Sequence, residues 1–575
     1  MKAMDSMQKL RMSMGERIVA LLRQAGVEAV FSQGDITTRD VLKHAERVGM
    51  HVVGPRHEAS TIFSAMGYYA VSGKVQAAFG AMGPGVANLL PSTVAAAREH
   101  IPVLVFGATR HRGVAYAVRH GQWLSAPLEP VFAQLCKFST VIAHPSEVDD
   151  AVRQALRAAL AGTPGPVYIE YDAMMHIQEW ESLPLEPLER FRSMPGPAPE
   201  AAIMQAASML TEARAPLLLL GEAVQHQQAQ AQAIALAEQV GCPIVTTFAG
   251  SGVVPAAHAH ALQFDSEAGQ QAVAGCDLLL AVGTCFPENV NYGRLAAFQE
   301  NAQQRRCILI DGDAQAVGLN RPVDLALIGG LSPVLGQLQQ AVAPRPTDPR
   351  LPQWKQMQTQ ERERAIAALP ERAAIHPSRL MLQAREAVPD EAAIVLDGGL
   401  TIFYQHAFFE KRSGPFVYGA HYSHLGCGLA QAIGVQLALG RSTPVCLLTG
   451  DGALGFHIME LETAIRHKLP IVVIVNDDHA LGAEVAAHLN HIGHTIEVEF
   501  SPVRLDRVIE AMGGHGEYVV RLEDIQPAIR RAFASGKTAL VQVITDPEAA
   551  HREPHPYSPA RANWINADVK DRYGS

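Results

Sequence analysis

A chain of 575 residues with 48% hydrophobic and 18% charged residues has room for about three or four domains and can bury large cores, which excludes wholesale disorder. Its formal net charge of −10 is modest for that length, so neither nucleic acid nor an acidic membrane surface is an expected partner. The seven cysteines are scattered, mostly in apolar runs, and form no CxxC pair, which favours a reducing compartment over a disulfide framework or a zinc site.

The N-terminal segment MKAMDSMQKLRMSMGERIV has no continuous apolar core of the length that a signal peptide needs. No stretch of about 18 apolar residues predicts a membrane-spanning helix. We therefore expect a cytoplasmic protein that has no membrane partner.

Short β-branched runs alternate with Ala-rich helical patterns along almost the whole chain, which predicts βαβ units and parallel sheets. The predicted strands cover residues 102–106, 167–171, 216–220, 278–282, 308–310, 393–396, 445–448, 471–475 and 540–544. Two stretches rich in proline and charge, residues 183–200 and 343–353, predict linkers. The resulting domains are residues 1–182, 201–342 and 354–548, followed by an irregular tail over residues 549–575.

The first and last domains have similar patterns. In the first, the turn Gly83-Pro84-Gly85 precedes an Ala-rich helix and then the segment REHIP before a strand. In the last, the turn Gly450-Asp451-Gly452 precedes a helix predicted over residues 455–465 and then RHKLP before a strand. Any two βαβ units look somewhat alike, but the matched order favours a duplication that produced two related α/β domains.

Oxygen-bearing side chains follow two successive strands of the last domain. Asp451 comes after one predicted strand, and Asn476, Asp477 and Asp478 come after the next. Adjacent parallel strands would bring both clusters to one crevice, where a hard cation could bridge a diphosphate near a helix N-terminus. The alternative for Asp451 is an ordinary turn aspartate before a helix. The chain has no P-loop, and its glycine turns lack the spacing of a dinucleotide fingerprint.

These two clusters together resemble the thiamine diphosphate motif of the superfamily that contains acetohydroxyacid synthase, pyruvate decarboxylase and benzaldehyde lyase. Four other segments resemble family segments in the expected order, namely residues 55–70, 83–88, 162–167 and 423–429. The resemblance spans nearly the whole chain. It implies an α/β fold of three doubly wound parallel-sheet domains, named pyrimidine-binding, central and diphosphate-binding.

By this resemblance, Glu58 contacts the pyrimidine N1′ of the cofactor. A carboxylate there favours the imino tautomer, whose nitrogen removes the proton from the thiazolium carbon, and the thiazolium then serves as an electron sink. The glutamate also argues against glyoxylate carboligase, which resembles this family but lacks it. Leu425 stands where the family has a bulky apolar residue under the bent cofactor, although by itself it would be an ordinary core residue.

The resemblance further implies which residues hold the cofactor and a Mg²⁺ ion. The expected metal ligands are Asp451, Asp478 and the backbone carbonyl of Ala480. The family usually has asparagine where this chain has Asp478, and Asn476 is the rival ligand if the strand is one residue longer. The expected cofactor contacts are Glu58, Pro84, Asn88, Gly399, Leu400, Thr401, Ser423, Leu425, Asp451, Gly452, Ala453, Asp478, Ala480 and Leu481.

The central domain departs from the acetohydroxyacid synthase pattern. Those enzymes hold FAD there, with an arginine- and aspartate-rich segment after a strand. This chain has VGTCFPENVN from Val282 onward, which lacks that pattern. We therefore expect thiamine diphosphate and Mg²⁺ as cofactors and no FAD, and nothing in the segment clearly marks a site for CoA or ADP.

The substrate side is less determined by the sequence. His111, His120 and Gln122 follow the strand that faces the reactive end of the cofactor, and each is either a substrate contact or a solvated loop residue. The neighbouring Arg110, Arg112 and Arg119 either bind a carboxylate or keep the loop soluble. Glu484 lies six residues beyond Asp478, as does a proton-transferring glutamate of pyruvate decarboxylases, and it shares a predicted helix face with His488. The alternative is an exposed Glu–His pair. The candidate catalytic residues are Glu58, Glu484, His120 and Gln122.

Three functional hypotheses follow. The first is a carboligase or decarboxylase that acts on a 2-oxoacid through an enamine intermediate, as acetolactate synthase does. The second is a lyase or hydrolase that cleaves a 2-hydroxy ketone, a hydroxyacyl-CoA or a dione. The third, a non-catalytic cofactor-binding homologue, is disfavoured because Glu58, Asp451 and Asp478 are retained. The resemblance also implies a homodimer at least, with a homotetramer expected, and a small carbonyl compound as the substrate.

Overall fold

The computed structural model describes residues 10–111, 120–191 and 195–552. Within these ranges, the main sheets are three, each built of six parallel strands, and one short antiparallel pair accompanies them. No helix of the described ranges is long and apolar enough to cross a membrane. Since helices separate the parallel strands along the chain, the prediction of three doubly wound parallel-sheet domains is confirmed.

The N-terminal region contains the first sheet. Its strands are β1 (Leu10–Ser13), β2 (Ala29–Ser32), β3 (His51–Val53), β4 (Gln76–Gly80), β5 (Val103–Thr109), β6 (Ser139–Ile142), β7 (Val167–Asp172) and β8 (Glu179–Ser182). Its helices are α1 (Met14–Gln24), α2 (Arg39–Arg47), α3 (Ala59–Ser72), α4 (Pro84–Ala87), α5 (Leu90–Arg98), α6 (Glu129–Leu135) and α7 (Val148–Leu160). The sheet order is β3-β2-β4-β5-β7-β6, while β1 pairs with β8. Strands β4 and β5 are buried on both faces, as expected when helices cover both sides.

The central region contains the second sheet. Its strands are β9 (Pro216–Leu220), β10 (Ile244–Thr246), β11 (Ala261–Leu262), β12 (Leu278–Val282), β13 (Arg306–Asp311) and β14 (Leu325–Ile328). Its helices are α8 (Glu200–Glu212), α9 (Ala223–His226), α10 (Gln230–Val240), α11 (Glu267–Ala274), α12 (Ala296–Gln299) and α13 (Leu331–Ala341). The order is β11-β10-β9-β12-β13-β14. The apolar runs PLLLL and LLLAV form the two middle strands, since a strand covered on both faces needs no polar alternation.

The C-terminal region contains the third sheet. Its strands are β15 (Ala393–Leu396), β16 (Phe416–Val417), β17 (Val445–Gly450), β18 (Ile471–Asp477), β19 (His515–Val519) and β20 (Ala539–Ile544). Its helices are α14 (Leu351–Ala367), α15 (Pro377–Ala387), α16 (Thr401–Phe408), α17 (Gly428–Leu439), α18 (Asp451–His457), α19 (Glu460–Arg466), α20 (Gly482–His491), α21 (Leu505–Ala511), α22 (Ile525–Ala534) and α23 (Ala549–Arg552). The order is β16-β15-β17-β18-β20-β19.

The first and third sheets have the same topology. Numbered from its first strand, each sheet has the order 2-1-3-4-6-5. The segments REHIP and RHKLP also match in conformation, since His100 has φ 55° and Lys468 has φ 54°. A positive φ is uncommon for residues other than glycine, so its recurrence at matched positions supports the predicted duplication.

Three local predictions are wrong. The tail predicted to be irregular from residue 549 begins with α23, which covers Ala549–Arg552. The helix predicted over residues 455–465 is two helices, α18 and α19, and α18 begins directly after the strand at Asp451. Its two glycines, Gly452 and Gly455, weaken the intrinsic preference for a single long helix. The linker predicted to extend to residue 353 ends earlier, because α14 begins at Leu351 with a proline in its first turn, where a missing N–H costs little.

The described residues divide into two compact units. One contains the N-terminal sheet with residues 429–440 and 457–469, and the other contains the central and C-terminal sheets. In the first unit, α3 is buried along nearly its whole length and packs closely against α17. A Cβ atom on Gly67 would overlap the carbonyl oxygen of Gln431, and one on Gly434 would overlap that of Ser64. The two helices therefore need glycine where they cross.

Candidate active site

The Glu58 turn, residues 55–58, joins β3 to α3. Glu58 occupies the N-cap position of α3 and is half-buried. The side-chain amide of Asn88, at the C-terminal end of α4, donates a hydrogen bond to Glu58 Oε2 over 2.9 Å. The other oxygen, Oε1, lies 3.3 Å from the place that a Cβ of Gly85 would occupy. Two predicted residues from separate segments thus come together here, and Pro84 begins the short helix that presents Asn88.

Glu460, which is not among the residues predicted above, holds the same turn. Its side chain is 1% exposed and accepts hydrogen bonds from the backbone N–H groups of Arg56 and His57, each over 3.1 Å. The hydroxyl of Thr463 donates another over 2.7 Å. Hydrogen bonds to a charged acceptor are about twice as strong as neutral ones, so Glu460 anchors the backbone that leads to Glu58. Helical spacing was the available signal, since Glu460 shares a face with the buried Thr463 and Ala464.

The acidic turns after β17 and β18 meet at the carboxyl edge of the third sheet. These strands are adjacent, and Gly450 pairs with Asn476 in the register. Asp451 Oδ1 is buried and has no hydrogen-bond partner within residues 10–111, 120–191 and 195–552. The carbonyl oxygen of Ala480 lies 3.4 Å from the place that a Cβ of Gly452 would occupy. The predicted juxtaposition of the two turns is therefore present.

The last two residues of β18, Asn476 and Asp477, and the next residue, Asp478, direct their side chains to different neighbours. Asn476 donates to the hydroxyl of Thr401 over 3.3 Å. Asp477 accepts from the side chain of Gln542 over 2.6 Å and lies 2.7 Å from Nδ1 of His479. Asp478 instead lies beside Asp451, and a Cβ on Gly482 would overlap its Oδ2. This arrangement favours Asp478 over Asn476 as the partner of Asp451.

Asp451, Asp477 and His479 also offer ligand atoms that all lie within 4.8 Å of one another. However, the carboxylate of Asp477 already accepts a hydrogen bond from Gln542 and lies beside His479. A cation would therefore stabilise the pair Asp451 and Asp478 more than it would stabilise Asp477. Burial, and for Asp451 also the repulsion from Asp478 and Asp477, raises the pKa of both carboxyl groups above the ordinary aspartate range. The expected Mg²⁺ ion fits this pair, because a hard divalent cation would remove the repulsion and satisfy the orphaned oxygen.

The turn after β15 lies beside Leu425. Gly399 has φ +89°, and Leu425 Cδ2 is 3.4 Å from the place that its Cβ would occupy. Leu400 and Thr401, at the start of α16, are buried, while Ser423 has φ 50° and its hydroxyl lies 3.1 Å from that of Tyr418. These predicted contacts, together with Gly452, Ala453 and Leu481 near the acidic turns, lie around the carboxyl edge of the third sheet.

The residues predicted for the substrate side do not form one cluster in the structure. His111 pairs with the buried Asp172 over 2.8 Å, whereas His120 is exposed and Gln122 is half-buried. The guanidinium of Arg110 lies 5.8 Å from the ring of Trp123. The remaining loop candidates, Arg112 and Arg119, fall outside the described residues.

Glu484 and His488 lie on α20, which confirms the helix predicted after the metal turn. Glu484 is exposed, and His488 Nδ1 accepts the backbone N–H of Ile496 over 3.3 Å. The exposed position of Glu484 matches the alternative that it is a surface residue.

Three family models match the chain in order. The model described as "Thiamine pyrophosphate enzyme, N-terminal TPP binding domain" matches residues 12–124. The model described as "Thiamine pyrophosphate enzyme, central domain" matches residues 203–338, and the one described as "Thiamine pyrophosphate enzyme, C-terminal TPP binding domain" matches residues 398–543. The first match includes the Glu58 turn, and the last includes both acidic turns.

Similarity to known proteins over most of the chain agrees with these models. A "Probable acetolactate synthase" of Mycobacterium bovis is 28% identical over 554 residues, which cover 94% of this chain and 97% of that protein. An "Acetolactate synthase large subunit" of Parasynechococcus marenigrum is 28% identical over 479 residues, which cover 80% of this chain and 75% of that protein. The "2-hydroxyacyl-CoA lyase 2" of Homo sapiens is 24% identical over 597 aligned residues, covering 94% and 88%.

Proposed function

We infer that this chain, which belongs to the thiamine diphosphate-dependent enzymes that form or cleave carbon–carbon bonds, is a carboligase or decarboxylase acting on a 2-oxoacid. The observation that carries the proposal is similarity along 94% of the chain to a protein named as a probable acetolactate synthase. The retained Glu58, Asp451 and Asp478 supply the acid–base and metal-binding groups that such chemistry needs.

In this proposal, Asp451, Asp478 and the carbonyl of Ala480 hold Mg²⁺, and the turns at Gly399–Thr401 and Gly452–Ala453 hold the diphosphate. Thiamine diphosphate supplies, when bound, an acidic ring carbon that becomes a nucleophile and a thiazolium that accepts electrons. The two aspartates would hold the ion, and the ion's positive charge would make burial of the phosphate charge tolerable. A flavin is not part of the proposal, so the purified protein should have no flavin absorbance.

Glu58 is the proposed acid–base group at the pyrimidine ring. Its carboxylate would share a proton with the ring nitrogen and so favour loss of a proton from the amino group on the same ring. The hydrogen bond from Asn88 fixes the rotation of the carboxylate, and Glu460 fixes the backbone of the turn before it. Both constraints lower the cost of orienting Glu58 for proton transfer.

Glu484, His120 and Gln122 are proposed to face the substrate. Replacing Glu484 with glutamine tests the proton-transfer role, since the amide keeps the shape but cannot exchange a proton. We expect turnover to fall by roughly two to four orders of magnitude with thiamine diphosphate affinity unchanged. The same rate and products as the unaltered enzyme would make Glu484 a surface residue.

A second candidate function is cleavage of a 2-hydroxy ketone, a hydroxyacyl-CoA or a dione without loss of carbon dioxide. Similarity to the human 2-hydroxyacyl-CoA lyase along 94% of the chain supports this alternative. Both candidates use the same cofactor groups, so substrate chemistry must separate them.

One screen separates these functions. The purified protein, loaded with Mg²⁺ and thiamine diphosphate, is given a panel of 2-oxoacids with and without an aldehyde acceptor, and carbon dioxide release is measured. The proposed function requires release from at least one acid. No release from any acid, together with cleavage of a 2-hydroxy ketone or a hydroxyacyl-CoA, would replace it with the lyase function.

The proposed active unit is a homodimer, with a homotetramer expected. Phe456, Ile496 and Phe500 expose 60%, 53% and 43% of their surfaces. Exposed apolar side chains of this size near the acidic turns fit a surface that a second subunit covers. Sedimentation of the loaded enzyme should give a dimer or larger, and an active monomer would contradict the proposal.

A further inference from the structure

Asp397 is a buried carboxylate that directly follows β15 and that no candidate role above uses. Its side chain is 2% exposed. Oδ1 accepts the backbone N–H groups of Gly398 over 2.8 Å and Gly426 over 2.9 Å. Oδ2 accepts the N–H of Gly428 over 3.2 Å and lies 3.4 Å from the hydroxyl of Thr449. One carboxylate thus joins the turn after β15, the turn before α17 and the end of β17.

Burial of a negatively charged carboxylate is energetically unfavourable, and the hydrogen-bond donors around Asp397 offset this cost. Burial raises the pKa of Asp397 to about 6, and the backbone donors oppose that shift. Gly428 is the first residue of α17, where a negative charge is favoured by the helix dipole. A carboxylate with these partners resists displacement, because moving either turn would leave a buried charge with too few donors.

The turn that Asp397 holds cannot adjust easily. Gly426 has φ +84°, and a Cβ there would overlap Cβ of Phe456. A Cβ on Gly428 would lie 2.9 Å from Cβ of Asp397. The backbone on both sides of Cys427 is therefore packed to contact, and its position is set by Asp397 and its neighbours.

Leu425 precedes this turn and leans toward the other turn that Asp397 holds. Its Cδ2 lies 3.6 Å from the place that a Cβ of Gly398 would occupy and 3.4 Å from that of Gly399. The same carboxylate therefore fixes the backbone next to Leu425 and the glycine turn against which its side chain rests. Loss of these hydrogen bonds would free both contacts together.

We propose that Asp397 is a positioning residue that sets the location of Leu425 relative to the Gly398–Gly399 turn, and through it the bent conformation of the cofactor. The inference rests on the proposed function, since it requires a cofactor above Leu425. It assigns no contact between Asp397 and any reacting atom. A purely structural role, as an N-terminal charge for α17, is the competing explanation.

The first test is made on the full chain without cofactor. Asp397→Asn keeps the shape and one acceptor, but its amide group cannot accept a hydrogen bond. Hydrogen–deuterium exchange followed by mass spectrometry should show faster exchange in peptides that contain Gly426 and Gly428, with no change in peptides from β9. Asp311→Asn is the matched control, because Asp311 also ends a strand and burial also raises its pKa to about 6. Unchanged exchange in the Asp397 variant would overturn the inference.

The second test measures the cofactor itself. Exchange of the thiazolium ring proton for deuterium, measured by acid quench and NMR with Mg²⁺ and thiamine diphosphate, should slow by up to about a hundredfold in Asp397→Asn. Affinity for thiamine diphosphate, from calorimetry, should change much less. An equal loss of affinity and of exchange rate would indicate a structural role only and would overturn the inference. If the unaltered chain does not bind thiamine diphosphate, the proposed function fails, and the exchange pattern around Gly426 still reports on the local link.

A double-mutant cycle decides whether Asp397 acts through Leu425. Leu425→Ala removes the side chain that Asp397 is proposed to position. In that background, Asp397→Asn should have no further effect on ring-proton exchange, because the two changes share one route. Independent and additive effects would contradict the proposal. The cycle stays informative even when Asp397→Asn lowers stability, since the substitution is present in both backgrounds that are compared.

Discussion

The first and third sheets share one topology and use matching turns for different chemistry. After the third strand in sheet order, the N-terminal copy has Gly83-Pro84-Gly85 and the C-terminal copy has Gly450-Asp451-Gly452. The neutral turn presents Asn88 to Glu58, whereas the acidic turn places Asp451 beside Asp478. The backbone provides the place for a turn, and one side chain decides whether the place can hold a cation.

In the turns that precede α3 and α17, the charged side chain is in the N-terminal copy and the apolar one in the C-terminal copy. The N-terminal copy carries the charged Glu58 there, and the C-terminal copy carries the apolar Leu425. Each of these turns is held by a buried carboxylate, Glu460 for the first and Asp397 for the second. Since the two carboxylates come from different elements, the two sheets of matching topology support these turns by separate means.

Removing the charge from the acidic turn should have the largest effect. Asp451→Ala makes this turn as neutral as its N-terminal counterpart, and we expect no measurable Mg²⁺-dependent retention of thiamine diphosphate in calorimetry. Asp478→Ala should do the same, while Asn476→Ala should be milder because its side chain faces Thr401. Loss of retention in the Asn476 variant with none in the Asp478 variant would show that Asn476 is the ligand.

The charge in the N-terminal copy is predicted to act on rate rather than on binding. Glu58→Gln should keep the fold and most of the cofactor affinity while turnover falls by roughly 10² to 10⁴, because an amide cannot stabilise a protonated ring nitrogen. Turnover and calorimetry measure the two effects separately. Glu200→Gln, an exposed residue in the first turn of α8, is the control. Full activity of the Glu58 variant would mean that the acid–base group lies elsewhere.

A substitution at the crossing of α3 and α17 tests how closely these two helices pack. Gly434→Ala should lower the free energy of unfolding by about 1–3 kcal/mol, because the added methyl group would overlap the carbonyl oxygen of Ser64. Gly336→Ala in α13 is the matched control, since no atom lies within 4 Å of its Cβ position. Alanine should raise stability there by up to about 1 kcal/mol. Urea unfolding measures both, and equal signs would contradict the close crossing.

The smallest expected effect is a pH dependence to which the acidic turns of the C-terminal copy contribute and the neutral turn of the N-terminal copy does not. The pKa values of Asp451 and Asp478 are raised above that of an unfolded aspartate, about 3.9. Above about pH 4, the native state of the metal-free chain therefore binds more protons than the unfolded state does. As a consequence, the free energy of unfolding falls as pH rises through the raised pKa values. Mg²⁺ needs the ionised forms, so its affinity should increase over the same range.

Urea unfolding at several pH values, with EDTA and then with Mg²⁺, measures this dependence. In Asp451→Asn the pH slope without metal should be smaller than in the unaltered chain. Asp311 and Asp397 have pKa values raised to about 6 and contribute in the same direction, but they are present in both proteins and cancel in the comparison. Equal slopes would show that the acidic turn does not carry the effect.

Local sequence determined much of this protein. Apolar runs bounded by glycine and proline predicted the strands, because a strand covered on both faces must be apolar along its length. The matched turns predicted the duplication, and the positions of Asp451 and Asp478 after adjacent strands predicted that they meet. Each of these inferences depends on spacing along the chain, which the sequence displays directly.

Only the tertiary structure decided which of several similar side chains takes each position. Asn476, Asp477 and Asp478 are consecutive, and their separate partners Thr401, Gln542 and Asp451 come from other elements. The buried anchors Glu460 and Asp397 were missed for the same reason. At both residues, backbone N–H groups from other segments converge on one buried carboxylate, and such convergence is a property of the packed fold.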